Sequence, residues 1–214
     1  MTRFTTTASL IAAGTLGLGL FAAVTGTQNP VAGLTAQPAI ATSALADEFA
    51  VDGVHSSVVF KIKHGGVSYF YGSFAAVDGK FRIDINEPSN TVIDVAVDTG
   101  SVNSNNTRRD GHLKSPDFFN ADQFPKLTFK STGATSGADG MVMVTGDLSY
   151  RGQTKSITVP VDVTGEAESR RGMRQGFHSE FTFKRSDFGG SYGIENGSLG
   201  DEVTIIVSLQ GVRG

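Results

Sequence analysis

From Ser57 the chain alternates, with Val58, Phe60 and Ile62 on one parity and Lys61 and Lys63 on the other, the period-two pattern of a strand with one buried face. The alternation returns at Phe81, Ile83 and Ile85, at Ile93, Val95 and Val97, at Leu127 and Phe129, and at Ile157, Val159, Val161 and Val163. Two more runs follow, at Phe177, Ser179, Phe181 and Phe183 and at Val203, Ile205, Val207 and Leu209. Asp78-Gly79, residues 137–140, Arg151-Gly152, Arg171-Gly172 and Gly189-Gly190 carry the glycines that sharp reversals need. Most of the chain is therefore predicted as antiparallel sheet. The apolar parity changes between Phe74 and Phe81, which predicts a turn or a bulge at Asp78-Gly79. Pro160 lacks an N–H and belongs at an edge, at a bulge, or with its nitrogen turned off the ladder.

Residues 103–122 break the pattern and read as a loop with a turn or two of helix. Ser115 is the predicted N-cap, Pro116 the first helical residue, and Phe118 and Phe119 the anchors onto the sheet. About eight strands with one apolar face each form either a sandwich or a closed barrel. An eight-stranded barrel encloses room for side chains or for one slender ligand. Pattern alone leaves both architectures open.

The first 46 residues differ in kind. A single cation, Arg3, precedes residues 8–24, a run made almost wholly of Ala, Leu, Gly, Ile, Phe and Val. This is the signature of a secretory signal. The run is shorter than the ~20 residues a comfortable bilayer span needs, and Gly14, Gly17 and Gly19 lower its helix propensity. Ala44-Leu45-Ala46 offers a cleavage site, while an earlier cut near Gly26 would leave residues 25–46 as a Thr-, Ala-, Gly- and Pro-rich stalk. Residues 1–46 are thus expected to be a signal peptide with a possible linker, and residues 47–214 one domain with no stable membrane span once mature. A periplasmic or secreted location follows.

Composition narrows the function. With 18 Lys and Arg against 21 Asp and Glu, the net charge of −3 is too close to neutral for binding to a nucleic-acid backbone. The absence of cysteine removes disulfides, thiolate metal sites and thiol nucleophiles. His55, His64, His112 and His178 do not stand at ligand-pair spacing, so neither a metal nor another cofactor is expected. Arg108-Arg109-Asp110-Gly111-His112 is the densest polar cluster. It suits the grip of an anionic head, or an Asp-oriented His, as well as a plain capped turn. No catalytic elbow or second carboxylate accompanies it, so no catalytic residue is assigned. The inward-parity phenylalanines are equally suited to a solid core and to the wall of a lipid tube.

Several ordered blocks carry a resemblance: "VDGVHSSVVFKIKHGGVSYFYGSF" from Val51, "RRDGHLKSPDFFNADQFPKLTFKST" from Arg108, "GDLSYRGQTKSITVPV" from Gly146, and "FKRSDFGGSYG" followed by "LGDEVTIIVSLQG". Together they resemble the YceI-like, polyisoprenoid-binding family, over residues 49–212. The resemblance implies an all-β fold, an eight-stranded antiparallel lipocalin-like barrel with one short helical segment. It also implies an elongated pocket for an isoprenoid chain such as a polyprenyl phosphate or quinone, often within a homodimer. On that expectation Phe60, Ile62, Phe74, Phe81, Ile83, Val95, Phe119, Phe129, Phe181, Phe183 and Ile205 line the pocket, and His64, Arg109, Asp110 and His112 shape its mouth. Two other roles remain open, a filled barrel that recruits a protein partner and an enzyme acting on a lipid-like substrate through Asp110 and His112.

Overall fold

A computed structural model describes residues 48–213, so the leader assigned to residues 1–46 lies outside the described residues. Eleven strand segments build eight staves of a closed antiparallel barrel. β1 (Phe49–Val51) and β2 (Ser57–His64) are the halves of the first stave, interrupted by a 3₁₀ turn at Gly53–His55, and both pair with the last strand, β11 (Leu199–Arg213). β3 (Ser68–Phe74) and β4 (Val77–Arg82) make the second stave, and β5 (Val92–Asp98) and β6 (Val102–Asn103) the third. Accordingly β3 pairs with β2 and β6, while β4 pairs with β1 and β5. β7 (Lys126–Ser136), β8 (Val142–Tyr150), β9 (Gln153–Ser169), β10 (Gly172–Lys184) and β11 follow in order round the wall. Pairing of the last strand with the first stave removes the free edges that a sandwich would have to protect.

The parity change falls elsewhere than expected. β4 passes through Asp78 and Gly79 with continuous register from Val77↔Val97 to Arg82↔Val92, so neither a turn nor a bulge lies there. The shift is made at Ala75-Ala76, between the two halves of the second stave. Gly79 is needed for another reason. Its φ is +126°, and a Cβ there would stand 2.2 Å from the Asp94 carbonyl oxygen. The reversal at Arg151-Gly152 is as expected: both residues have positive φ, 52° and 73°, and join Tyr150 directly to its partner Gln153.

The helical segment is real but begins earlier. α1 (Thr107–Lys114) is capped by Asn106, whose Oδ1 accepts from the Arg109 N–H at 3.0 Å. Ser115 stands at its C-terminal end, with its N–H donating to the His112 carbonyl. Pro116 disfavours the helical region for the residue before it, so the Ser-Pro pair stops this helix instead of starting one.

Pro160 lies inside the wall, yet off one ladder. The β9–β10 ladder runs from Ser169↔Gly172 to Asp162↔His178 and ends there. Pro160 is paired with Met143 of β8 only, and its carbonyl accepts from Ser179 Oγ at 2.6 Å.

The connectors around residues 83–91, 137–141 and 170–171 gather at one end of the barrel, which side chains close. Phe81, with no exposed surface, stacks on Phe49 at 6.0 Å and meets Phe177 edge-on at 4.9 Å. Gln175 is buried beside them; its amide donates to the Ile83 carbonyl at 2.9 Å and accepts the Ile83 N–H at 3.0 Å. At the opposite end lie residues 65–67, the 104–125 segment with α1, the 151–152 turn and the 185–198 connector.

Candidate binding cavity

α1 is polar on nearly every face and buries only Leu113. Its hold on the barrel runs through Ser104. Asp110 Oδ1 accepts from the Ser104 N–H at 2.8 Å and from its hydroxyl, while Arg109 donates from Nε to Ser104 Oγ at 2.9 Å and from Nη2 to Ser104 O at 2.7 Å. The Ser104 hydroxyl bond is the main reason the Asp110 carboxyl sits below the usual carboxylate range. The Arg109 guanidinium lies 4.2 Å from the Phe70 ring centroid, a cation–π placement. Phe119 then inserts among Phe60, Phe74 and Tyr150 at 5.2 to 6.2 Å, which is the anchoring expected of it. Phe118 meets His112 and Tyr192, each at 5.0 Å. Arg151 donates to the Pro116 and Phe118 carbonyls and fixes the returning chain.

Beneath this cover the barrel is hollow. A cavity of about 470 Å³ opens at the loop end, within the size range of small-molecule sites. Phe60, Ile62, Phe74, Phe119, Phe183 and Ile205 border it, together with Phe70, Leu113, Phe118, Leu127, Leu199 and Val203. A smaller void of about 60 Å³ lies deeper and shares Leu127, Phe183 and Ile205 with the first. Val95, Phe129 and Phe181 face this inner void. Its walls are almost entirely hydrocarbon, the kind of void that stays dry.

The remaining expected residues divide. Phe81 and Ile83 line neither space, because they belong to the packed closed end where the stave leaves the sheet. His64, Arg109 and His112 reach the cavity mouth. Asp110 does not: its carboxylate is taken up by the Ser104 N–H and hydroxyl. His112 is paired with Asp117 at 2.9 Å and not with Asp110. His55 pairs with Asp52 at 2.8 Å, away from the cavity.

Tyr150, Arg185 and Tyr192 also line the cavity and were not anticipated. Phe70 was legible from the Ser68, Phe70, Gly72, Phe74 alternation. Arg185 was not, since nothing local marks a buried arginine. It is only 4% exposed, and burial pushes its guanidinium below its ordinary range. Burial likewise pushes the Tyr150 hydroxyl up, although its proximity to Arg151 and Arg185 opposes the shift.

The YceI-like domain model matches residues 49–211, almost the entire described chain. The chain belongs to the YceI-like family. Among YceI-like relatives, the UPF0312 protein of Yersinia enterocolitica is 38% identical over 176 residues, covering 81% of this chain and 90% of its own length. Protein YceI of Escherichia coli is 37% identical, with 81% and 91% covered. The crystal structure of BcnA from Burkholderia cenocepacia superposes with a TM-score of 0.67 at 26% identity, over 76% of this chain and 99% of that one. A polyisoprenoid binding domain from Saccharophagus degradans, implicated in plant cell wall breakdown, gives 0.62 at 16% identity, over 79% and 99%. At that identity it shows the shared YceI-like barrel and no more.

Proposed function

We propose that this YceI-like protein is an extracytoplasmic carrier or scavenger of a long apolar isoprenoid-type lipid, a polyprenyl phosphate or a quinone, held inside the barrel. The observation that carries the reading is the open-ended cavity of about 470 Å³ with phenylalanine and aliphatic walls, blind at the Phe49–Phe81–Phe177 end. Each methylene moved from water into such a space is favoured by about 0.8 kcal/mol, so a few prenyl units outweigh the cost of association. The polyisoprenoid binding domain with the same fold supports this choice of chain. The leader-like residues 1–46 support export, and no helix among the described residues is long and apolar enough to cross a membrane.

An enzyme built on Asp110 and His112 is disfavoured, because the two are engaged separately with Ser104 and Asp117. We therefore read the protein as a binder. A filled, partner-recruiting barrel is disfavoured by the void itself. Native mass spectrometry of protein recovered from a bacterial host, with displacement titration by prenyl lipids, tests the proposal. The expected result is a one-to-one adduct and saturable uptake; a barrel that takes up no prenyl lipid of any head group would overturn it. The mass of the exported chain reads the cleavage site, and its sedimentation reads whether the carrier is a homodimer.

A further inference from the structure

The mouth of the cavity has a one-sided charge. Arg109, Arg185, His64 and His112 line it, and none of its lining residues is acidic, although the whole chain has more acids than bases. The nearby carboxylates are turned to other partners. Asp110 takes the Ser104 N–H and hydroxyl, Asp117 takes His112, and Asp201 takes the Ser186 N–H and hydroxyl at 2.9 and 2.7 Å.

Arg185 is the sharpest case. Its Nε and Nη2 donate to neutral carbonyls, those of Gly200 at 3.1 and 2.7 Å and of Tyr192 at 3.1 Å. Among the described residues no carboxylate forms an ion pair with it, and its Nη1 has no hydrogen-bond partner. Arg151 adds further positive charge nearby. A guanidinium that is 96% buried with no carboxylate in contact is costly; Asp201 attracts it only from beyond ion-pair distance while bound to Ser186, and an anion delivered by the ligand would compensate it directly. The carbonyl bonds orient the side chain in advance, so little rotamer freedom remains to be lost on binding.

We propose that Arg185 is the head-group anchor and that the ligand is an acid: an apolar chain ending in a phosphate or a carboxylate, its head at Arg185 and its tail directed toward the inner void. This rests on the carrier reading above and selects within it, because a neutral quinone or polyprenol offers no charge to the buried guanidinium. Arg109, fixed over Phe70 and on Ser104, flanks the same mouth as a second donor to the head.

The experiment pairs chains that differ only in the head. Geranylgeranyl phosphate is compared with geranylgeraniol, and palmitate with hexadecanol, by displacement of a fluorescent apolar probe from the whole protein. At least a tenfold preference for one or both acids over the matching alcohol is expected, equivalent to about 1.4 kcal/mol. The pair with the larger ratio identifies phosphate or carboxylate as the head. Arg185→Gln retains a donor for the Gly200 carbonyl and is expected to bring the acid-to-alcohol affinity ratio down to about one, whatever its effect on the two affinities separately. Equal binding of acid and alcohol to the unaltered protein overturns the inference and leaves the carrier reading intact, whereas absence of uptake by all four chains overturns the carrier reading. An acid preference that survives Arg185→Gln overturns the assignment to Arg185. Should that variant fail to fold, the arginine side-chain N–H resonances of the unaltered protein decide: the Arg185 signal is expected to shift on addition of the acid and not of the alcohol, and a shift confined to Arg109 overturns the assignment to Arg185.

Discussion

Gln175 performs with one side chain what a strand performs with its backbone. Its amide gives and takes a hydrogen bond with Ile83 just beyond the end of β4, and so seals the blind end of the barrel without a further ladder. Gln175→Leu would leave a buried N–H and C=O unpaired, at roughly 1–3 kcal/mol for each group that cannot reach water. Urea unfolding is expected to show a loss in that range, with prenyl-lipid uptake retained because the cavity opens at the other end; unchanged stability would contradict the role. The sequence contained no hint of this. A polar residue on an inward parity reads as the fraying end of a strand, and only the closure of the ring brings residue 175 to residue 83. Arg185 was hidden for the same reason, since its burial depends on the 185–198 connector folding back over it.

Within the staves glycine does more than make the reversals. Abundant glycine with abundant phenylalanine suggests turns between bulky strands, and Arg151-Gly152 is such a turn. Gly72 serves another purpose. It is paired across the ladder with Phe60, and a Cβ at Gly72 would fall 2.3 Å from the Phe60 ring. The ring tip occupies the place a Gly72 side chain would take, so Phe60 lies back against the wall of the cavity it lines. Gly72→Ala forces Phe60 off this seat, an overpacking cost of about 1–3 kcal/mol, and narrows the lumen. Titration is expected to show weakened lipid uptake, while Gly133→Ala, where nothing lies within 4 Å of the added Cβ, leaves uptake as it was. Strand identity was legible because alternation is a local property. The division of three staves into halves was not, because each break is set by which neighbour the strand meets. The helix was foreseen in the right segment and misplaced, because a Ser-Pro pair fits the beginning of a helix as well as its end.

At the level of the whole molecule, alternation allowed a barrel or a sandwich, and the family blocks implied the barrel that is observed. Whether that barrel is hollow could not be read, because Phe60 and Phe183 beside a void and Phe49 and Phe81 in a solid plug are the same residue type at the same parity. The difference arises from how far the loop-end cover stands off the closed end. The hoop itself is uneven. Residues 153–161 of β9 and 179–184 of β10 share no ladder, although each strand is paired on its other side. Hydrogen exchange is expected to be fastest, among strand amides, along the two lips of this slit, and slowest between β7 and β8; uniform protection round the wall would refute it. A vessel laced along most of its seams and unlaced along half of one can dilate without coming undone, which would let a rigid-looking barrel accept chains wider than its resting bore.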